Sequence, residues 1–307
     1  MKKKLYLCTL EWVRVKKSPS QHNKNVYYTF RRKRLWMAIK LMYITNEPAI
    51  AHIAEESGVD RIFIDLEVRG KEERQGHLDS VKSHHTLEDI SNIKGTLTTS
   101  ELLVRANALY SRSQEEINEI VSRGADIVML PMWSSIDDAC RFRDYVGGRA
   151  KVLLLLETIP AEKCLDEVLA QEGFDEVLIG LNDLHLQYHQ KFMFELLANG
   201  KVDEIMGKLK SKGKFCGFGG IASLNQGMIS GKNILTEHYR LHSDMAILSR
   251  SFCDTSKITD IEQIKRIFTQ GMKEIRDYEQ TLTTQSAAFF EANHQEVIRK
   301  VREIVEK

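Results

Sequence analysis

Two acidic residues have the type and spacing needed to hold a divalent metal ion. Glu157 follows five consecutive aliphatic residues, and Asp183 lies 26 residues further along, just after a second apolar run. That spacing is close to one strand–helix repeat, so both carboxylates are expected at the ends of neighbouring parallel strands. Taken singly, Glu157 could support the dipole of a following helix and Asp183 could be an ordinary loop acid. As a pair of hard oxygen ligands, they favour a site for Mg²⁺ or Mn²⁺.

A basic residue at the end of another apolar run could act on the same substrate. Arg105 directly follows Leu102–Val104, so it is expected where a buried strand emerges. An arginine at that point could bind a ketone or enolate oxygen and offset its developing negative charge. It could also form an ion pair with Asp65 or Glu67, which end the preceding apolar run, and the two roles are compatible.

Candidates for proton transfer and for binding a distal group lie near the same predicted strand ends. Glu67 is one candidate acid or base, and His77 is another, in a polar loop that also contains His84 and His85. Histidine and carboxylate side chains are the usual general acids and bases, although loop histidines are commonly just solvated. Arg250, after the last predicted strand, is a candidate for binding a distal anionic group of the substrate.

From residue 41 onward, short apolar runs alternate with helical patterns of about 10–15 residues, as in βα units. Eight strands followed in most cases by a helical segment predict a single (β/α)8 TIM barrel, in which active-site residues lie at the carboxyl ends of the strands. A doubly wound open sheet is the alternative, but the GxGxxG fingerprint after its first strand is absent. The glycine-rich run 217–220 could bind an anion or form a tight turn against other backbone. The predicted strands are Leu41–Thr45, Arg61–Leu66, Leu102–Asn107, Ile127–Pro131, Lys151–Leu156, Glu176–Gly180, Phe215–Phe218 and Met245–Leu248.

Charge is distributed unevenly along the chain. Residues 1–40 contain twelve Lys or Arg and one acid, whereas the other 267 residues contain 32 bases and 42 acids. An acidic body argues against nucleic-acid binding, because phosphate binding needs a positive surface.

Five scattered cysteines without CxxC spacing indicate reduced thiols in a cytoplasmic protein. The longest apolar run, five residues, is far too short to cross a bilayer, so no membrane partner is expected.

These patterns predict three parts. Residues 1–38 form a basic, poorly ordered extension, although its charges would also suit a tethering arm. Residues 39–280 form the barrel and catalytic domain, and residues 281–307 form an additional C-terminal helix.

Five short motifs in order resemble the HpcH/HpaI aldolase and citrate-lyase beta-subunit family, within the phosphoenolpyruvate/pyruvate barrel superfamily. The resemblance extends from about Leu41 to Asp254, and each motif is short, but their shared order and spacing are specific. The motifs are DRIFIDLE (60–67), LLVRAN (102–107), GADIVMLPM (124–132), LLLLET (153–158) and IGLNDL (179–184).

The resemblance implies a metal site, an enolate-stabilising arginine and aldol cleavage or condensation through a metal-bound enolate, without a Schiff base. Glu157 and Asp183 match the metal-binding acids, Arg105 matches the arginine, and the backbone around Asn182 and Asp183 would receive the substrate carboxylate. Pyruvate aldolases of the family have a histidine just after the strand-two acid, where this chain has Val68. The residue that moves the proton is therefore left open between His77, Glu67 and the histidines at 84–85.

The sequence thus predicts a divalent-metal-dependent carbon–carbon lyase of the aldolase type, acting on a 2-keto acid or related carboxylate. One alternative is a CoA-thioester lyase of the citrate or malyl type, which would need a basic groove for the CoA phosphates. Another is a non-catalytic barrel that binds a sugar-acid precursor in polysaccharide biosynthesis, supported mainly by Val68. By analogy with the family, the protein is expected to be a homo-oligomer.

Overall fold

The computed structural model describes residues 38–69 and 85–307, and in it eight parallel strands close into a barrel in sequence order. The closing pair is β8 with β1, in which Lys40 lies opposite Met245. The predicted (β/α)8 barrel is therefore confirmed; the predicted basic extension lies outside the described residues. The strands are β1 Lys40–Ile44, β2 Arg61–Asp65, β3 Glu101–Arg105, β4 Ile127–Leu130, β5 Lys151–Leu156, β6 Glu176–Ile179, β7 Phe215–Ile221 and β8 Met245–Leu248.

Twelve helices surround the barrel in the described part of the chain, and none of them is long and apolar enough to cross a membrane. Thr158 caps α5 as its sequence position suggests, since its hydroxyl accepts a hydrogen bond from the N–H of Ala161 at 3.1 Å. The helices are α1 Pro48–Glu56, α2 Leu87–Thr96, α3 Ser113–Ser122, α4 Ile136–Val146, α5 Ile159–Lys163, α6 Leu165–Leu169, α7 Leu181–Gln187, α8 Glu195–Ala198, α9 Lys201–Ser211, α10 Gly231–Arg240, α11 Ile261–Leu282 and α12 Ala287–Val305.

Helix α10 was not predicted from the sequence. Its buried face includes the polar residues Thr236, Glu237 and His238, all fully buried, so the apolar repeat that identifies an amphipathic helix is interrupted. The burial of Glu237 is explained by a contact with the C-terminal helix. Glu237 accepts hydrogen bonds from Arg240 on its own helix and from Asn293 on α12, at 2.8 and 2.7 Å.

The predicted C-terminal helix is present as α12. Val297 and Val301 form its buried face. His294 adds a contact of 2.9 Å between its Nδ1 and Oε2 of Glu237. The predicted division after residue 280 falls in the last turn of α11, and the division into three parts stays a prediction.

Strand β7 extends three residues beyond its predicted end at Phe218. A Cβ at Gly217 would lie 1.9 Å from the carbonyl oxygen of Met245 on β8, so only glycine permits this close approach. The pairing with β8 shifts register between Gly217 and Gly220. The glycine-rich run is therefore an irregular part of the barrel wall rather than the end of the strand.

The core has two layers. A small cluster fills the barrel interior, and a much larger one lies between the strands and the surrounding helices. Strand residues alternate between these layers, which explains why most strands read as continuous apolar runs. The interior cluster comprises Met42, Phe63, Leu103, Ile127, Met129, Leu153, Leu155, Leu178 and Met245.

His238 is a buried polar residue in the outer layer of the core that lowers the stability of the fold. Its ring stacks on Phe218 with centroids 3.9 Å apart, and neither ring nitrogen has a hydrogen-bond partner within residues 38–69 and 85–307. Burial lowers the pKa of His238 to about 3. The native protein therefore does not protonate this ring between about pH 6.5 and 3, whereas the unfolded chain does, so stability falls as the pH falls through that window.

We expect His238→Leu to stabilise the protein by about 1 kcal/mol at pH 7, because two unsatisfied buried nitrogens are removed and one ring stack is lost. The advantage should grow by roughly 2 kcal/mol on going to pH 5, at about 1.4 kcal/mol per pH unit below 6.5. Urea unfolding at several pH values measures both effects. His52→Leu, at an exposed position of α1, is the control and should not change the pH dependence. An unchanged pH profile in His238→Leu would contradict the prediction.

Candidate active site

A cavity of about 550 Å³ opens at the carboxyl ends of the strands. Most of the side chains that the sequence singled out lie on its wall: Arg105, Glu157, Asn182, Asp183 and Arg250. Glu67 is 2% exposed, is not among the lining residues, and contacts Arg105. His77 and His84 lie outside the described residues.

Glu157 is held rigidly at the end of β5. It is 2% exposed, and its Oε1 accepts a hydrogen bond of 3.0 Å from the N–H of Met132. Met132 has a φ of 52°, a conformation rare for a residue with a side chain, so the backbone is strained where it orients this carboxylate. Burial, and then the negative charge of Asp183, raise the pKa of Glu157 to about 8.

Asp183 lies in the first turn of α7, directly after β6, and is 6% exposed. Two buried carboxylates that repel each other form a donor set that a divalent cation would stabilise, with hard oxygen ligands of the kind Mg²⁺ and Mn²⁺ prefer. Within residues 38–69 and 85–307, no group of three or more acidic, histidine or cysteine side chains converges on one point. Glu157 and Asp183 are donors that fit such a cation, whose other ligands would come from water and substrate.

Gly180, which links β6 to α7, leaves the space that the Glu157 carboxylate fills. A Cβ at this position would lie 2.8 Å from both Cβ and Oε2 of Glu157. Contacts below about 3 Å between such atoms do not occur without displacement, and Glu157 is packed too tightly to move freely. The sequence analysis did not single out this glycine, because its role depends on a contact between two strands.

We expect Gly180→Ala to weaken Mn²⁺ binding by about 10- to 100-fold, the range typical of changes that reorient a metal ligand. The reason is displacement of the Glu157 carboxylate rather than loss of a ligand. Calorimetric titration of the metal-stripped protein measures the affinity. Gly207→Ala, in α9 with open space around its Cβ, is a matched control and should bind Mn²⁺ as the wild type does. Equal affinity in both variants would show that Gly180 does not position Glu157.

Arg105 is fixed by two acids at the end of β2. Its Nε and Nη2 donate to the two carboxylate oxygens of Asp65, each at 2.8 Å, and its Nη1 lies 3.3 Å from Oε2 of Glu67. Burial lowers the pKa of Arg105, but the charges of Asp65 and Glu67 outweigh it and hold the pKa above its ordinary value. The guanidinium is thus permanently charged, oriented by a two-point contact, and placed on the cavity wall.

Comparison with protein families fits this arrangement. The model of the HpcH/HpaI aldolase/citrate lyase family matches residues 39–193, just over half of the 307 residues. The chain belongs to this family. Membership places the protein among aldolases and lyases, and the matched segment contains Arg105, Glu157 and Asp183.

Two solved structures share the fold. An HpcH/HpaI aldolase from Desulfitobacterium hafniense DCB-2 is 16% identical, with a TM-score of 0.51 over 74% of this chain and 93% of that one. An HpcH/HpaI aldolase/citrate lyase family protein from Burkholderia cenocepacia J2315 is also 16% identical, with a TM-score of 0.54 over 78% and 95%. At this identity the likeness concerns the fold alone. No curated protein matches the sequence.

His85 supplies a histidine to the cavity of this HpcH/HpaI family member. Its Nδ1 accepts a hydrogen bond of 2.9 Å from the backbone N–H of Asp65, and the residue lies on the cavity wall. Val68, at the position where the sequence resemblance led us to expect a histidine, is 56% exposed and is not part of the wall. Among the described residues of this loop, the histidine on the cavity wall is therefore His85, at the end of the loop immediately before α2.

The side of the cavity formed by the residues after β1 and β8 is polar and contains an exposed arginine. Arg250 follows β8 and, within the described residues, makes no hydrogen bond or ion pair. Thr45 and Asn46 after β1, and Thr255 and Ser256 beyond β8, lie on the same side. This side offers hydroxyl, amide and guanidinium groups to a second part of the substrate.

Proposed function

We propose that the protein is a divalent-metal-dependent carbon–carbon lyase of the aldolase type that acts on a 2-keto acid or related carboxylate. The observation that carries the proposal is the buried pair Glu157 and Asp183 sharing one cavity with Arg105, in a member of an aldolase and lyase family. Mg²⁺ or Mn²⁺ is the proposed metal because both side chains are hard carboxylate donors. A cytoplasmic location and self-association into a homo-oligomer accompany the proposal.

Each side chain has a definite task in this scheme. Glu157 and Asp183 would hold the metal, which when bound supplies Lewis-acid stabilisation of negative charge on the substrate oxygens. Asn182 and the main-chain N–H groups at the start of α7 would bind the substrate carboxylate. Arg105 would donate hydrogen bonds to the oxygen that becomes negative when the keto acid is converted to its enolate.

The cavity also has room for a second reactant. Its volume of about 550 Å³ is within the range of pockets that enclose drug-sized ligands, and a three-carbon keto acid fills only a small part of that space. Arg250 is the proposed contact for an anionic group on the distal part of the substrate. The polar side chains of Thr45 and Asn46 face the same region.

The candidates for proton transfer are His77, Glu67 and the histidines at 84–85. His77 remains a candidate from the sequence, outside the described residues. Glu67 contacts Arg105 and is not among the residues that line the cavity, which supports a role in holding the arginine rather than in moving a proton.

The test is exchange of the methyl protons of pyruvate for deuterium in D₂O, followed by NMR. It detects enolate formation without knowledge of the second reactant. We expect exchange with Mg²⁺ or Mn²⁺ that is lost with EDTA and lost in Asp183→Ala. A protein that binds the metal but exchanges no protons would show that pyruvate is not the donor, and exchange that persists in EDTA would contradict the metal requirement.

A further inference from the structure

We propose that Gln187 is a positioning residue that fixes the distance between the carboxylates of Glu157 and Asp183 and so makes the pair selective for a small divalent cation. The inference rests on the metal site of the proposed function and assigns a role to a residue outside the cavity wall. It follows from a hydrogen bond that joins the helix of Asp183 to the chain next to Glu157.

Gln187 joins the two elements that supply the acids. Its Oε1 accepts a hydrogen bond of 2.8 Å from the backbone N–H of Ile159, two residues after Glu157. Gln187 is the last residue of α7, four residues after Asp183, and residues four apart lie on the same face of a helix. The glutamine therefore connects the face of α7 that carries Asp183 to the chain that leaves β5.

The backbone N–H of Ile159 needs an acceptor from outside its helix. Ile159 begins α5, and the first four N–H groups of an α-helix have no acceptor within that helix. Thr158 caps α5 through the N–H of Ala161, two residues further on. The amide oxygen of Gln187 therefore completes the start of α5 and ties it to α7.

The chain from Glu157 to Ile159 is held at each of its three residues. The first two are tied to the chain after β4: the carboxylate of Glu157 accepts from the N–H of Met132, and the hydroxyl of Thr158 donates to the carbonyl oxygen of Trp133 at 2.7 Å. The third, Ile159, is tied to α7 instead. Loss of this third contact would leave Glu157 in place and free the helix that carries the other acid.

A second contact holds α7 on α5 further from the acids. Tyr188, which follows α7, donates its hydroxyl hydrogen to Oε2 of Glu162 at 2.6 Å, and Lys201 donates to Oε1 of Glu162 at 2.8 Å. Glu162 lies on α5 and is buried. A change at Gln187 therefore leaves the two helices in contact and affects mainly the placement of α7 beside Glu157.

The metal-free site needs such a link because its two acids repel each other. The carboxylates of Glu157 and Asp183 are both buried and lie on the wall of one cavity, so their like charges interact unfavourably. Without the link, α7 can move outward. Bringing the acids together again would then offset part of the favourable free energy of cation binding, a cost that a preorganised site avoids.

The size of the cation decides how large this cost is. Mg²⁺ needs near-ideal geometry with ligand distances of about 2.0–2.1 Å, whereas Ca²⁺ accepts about 2.3–2.6 Å in flexible geometry. Two acids held close together therefore favour the smaller ion, and two acids that can separate lose that preference. Mn²⁺ is used below as the probe for the smaller ion.

The experiment measures Mn²⁺ and Ca²⁺ binding to the metal-stripped protein by calorimetric titration, in Gln187→Leu and in Gln187→Glu. Leucine offers no acceptor to the N–H of Ile159, whereas glutamate keeps one. We expect Gln187→Leu to weaken Mn²⁺ binding by about 10-fold or more and Ca²⁺ binding by less than about 3-fold. Gln187→Glu should recover most of the preference for Mn²⁺ over Ca²⁺.

Tyr188→Phe is the matched control, since it also removes one hydrogen bond between α7 and α5. It should lower the midpoint of thermal unfolding, as Gln187→Leu does, and leave the ratio of Mn²⁺ to Ca²⁺ affinity unchanged. An unchanged ratio in Gln187→Leu, an equal fall in Tyr188→Phe, or no recovery in Gln187→Glu would each overturn the inference and leave the proposed metal site standing. A wild-type protein that binds no Mn²⁺ would contradict the metal requirement of the proposed function, and this inference with it.

Discussion

Replacing Asp183 by asparagine is expected to weaken Mn²⁺ binding by more than about 100-fold, since changes outside the ligand set alone reach that value. The substitution keeps the size of the side chain and removes one of the two carboxylates proposed to hold the metal. Calorimetric titration of the metal-stripped protein measures the loss. The proposed metal site would be wrong if the variant bound Mn²⁺ as tightly as the wild type.

At about pH 9, above the pKa of about 8 to which Glu157 is raised, the same substitution is expected to stabilise the metal-free protein by about 0.5–2 kcal/mol. The carboxylates of Glu157 and Asp183 are both buried, and their repulsion contributes to the raised pKa of Glu157. Removing one charge relieves that repulsion, so metal affinity and metal-free stability should change in opposite directions. Thermal unfolding with and without Mn²⁺ tests both. Asp137→Asn, on the exposed face of α4, should change neither.

The positions of the three charged residues of the site could be predicted from the sequence, because a parallel barrel brings the carboxyl ends of all strands to one rim. Each of Arg105, Glu157 and Asp183 follows an apolar run, and the run alone indicates where the strand ends. Their approach to one cavity then follows from the fold, without any knowledge of individual contacts. The prediction needed only the strand boundaries, which differ from the structure by at most three residues.

Contacts between strands could not be predicted in the same way. Gly180 looks like an ordinary turn residue until the Glu157 carboxylate is found 2.8 Å from where its Cβ would be. His85 is one of three histidines in a long polar loop, and its place on the cavity wall is known from its hydrogen bond with the backbone of Asp65. Helix α10 could not be recognised because Glu237 interrupts its apolar face, and two of the partners of Glu237, Asn293 and His294, belong to α12, more than 50 residues later.

Charged residues at strand ends do not by themselves mark a catalytic site, as the amino-terminal end of the barrel shows. Arg61 begins β2 and is 1% exposed. Its Nη1 and Nη2 donate to the two carboxylate oxygens of Glu176 at 2.6 and 2.7 Å, and its Nε donates to Glu101 at 3.0 Å. Lys151 and Lys40 also bind Glu101. This cluster closes the amino-terminal end of the barrel, away from the cavity, so it is a structural feature.

Because the Arg61–Glu176 pair is almost completely buried, we expect Arg61→Met to destabilise the protein by about 3–5 kcal/mol, since the carboxylate of Glu176 would be left buried without its main partner. The double variant Arg61→Met/Glu176→Leu should recover most of that loss, because no charge is then left unpaired in the barrel interior. Denaturant unfolding of both single variants and the double variant gives the coupling between the two residues. Arg123→Met, which breaks an exposed pair with Glu119, is the control and should have little effect. A double variant as unstable as Arg61→Met would mean that the arginine stabilises the barrel through its other contacts, with Glu101 and the ring of Phe215, rather than by neutralising Glu176.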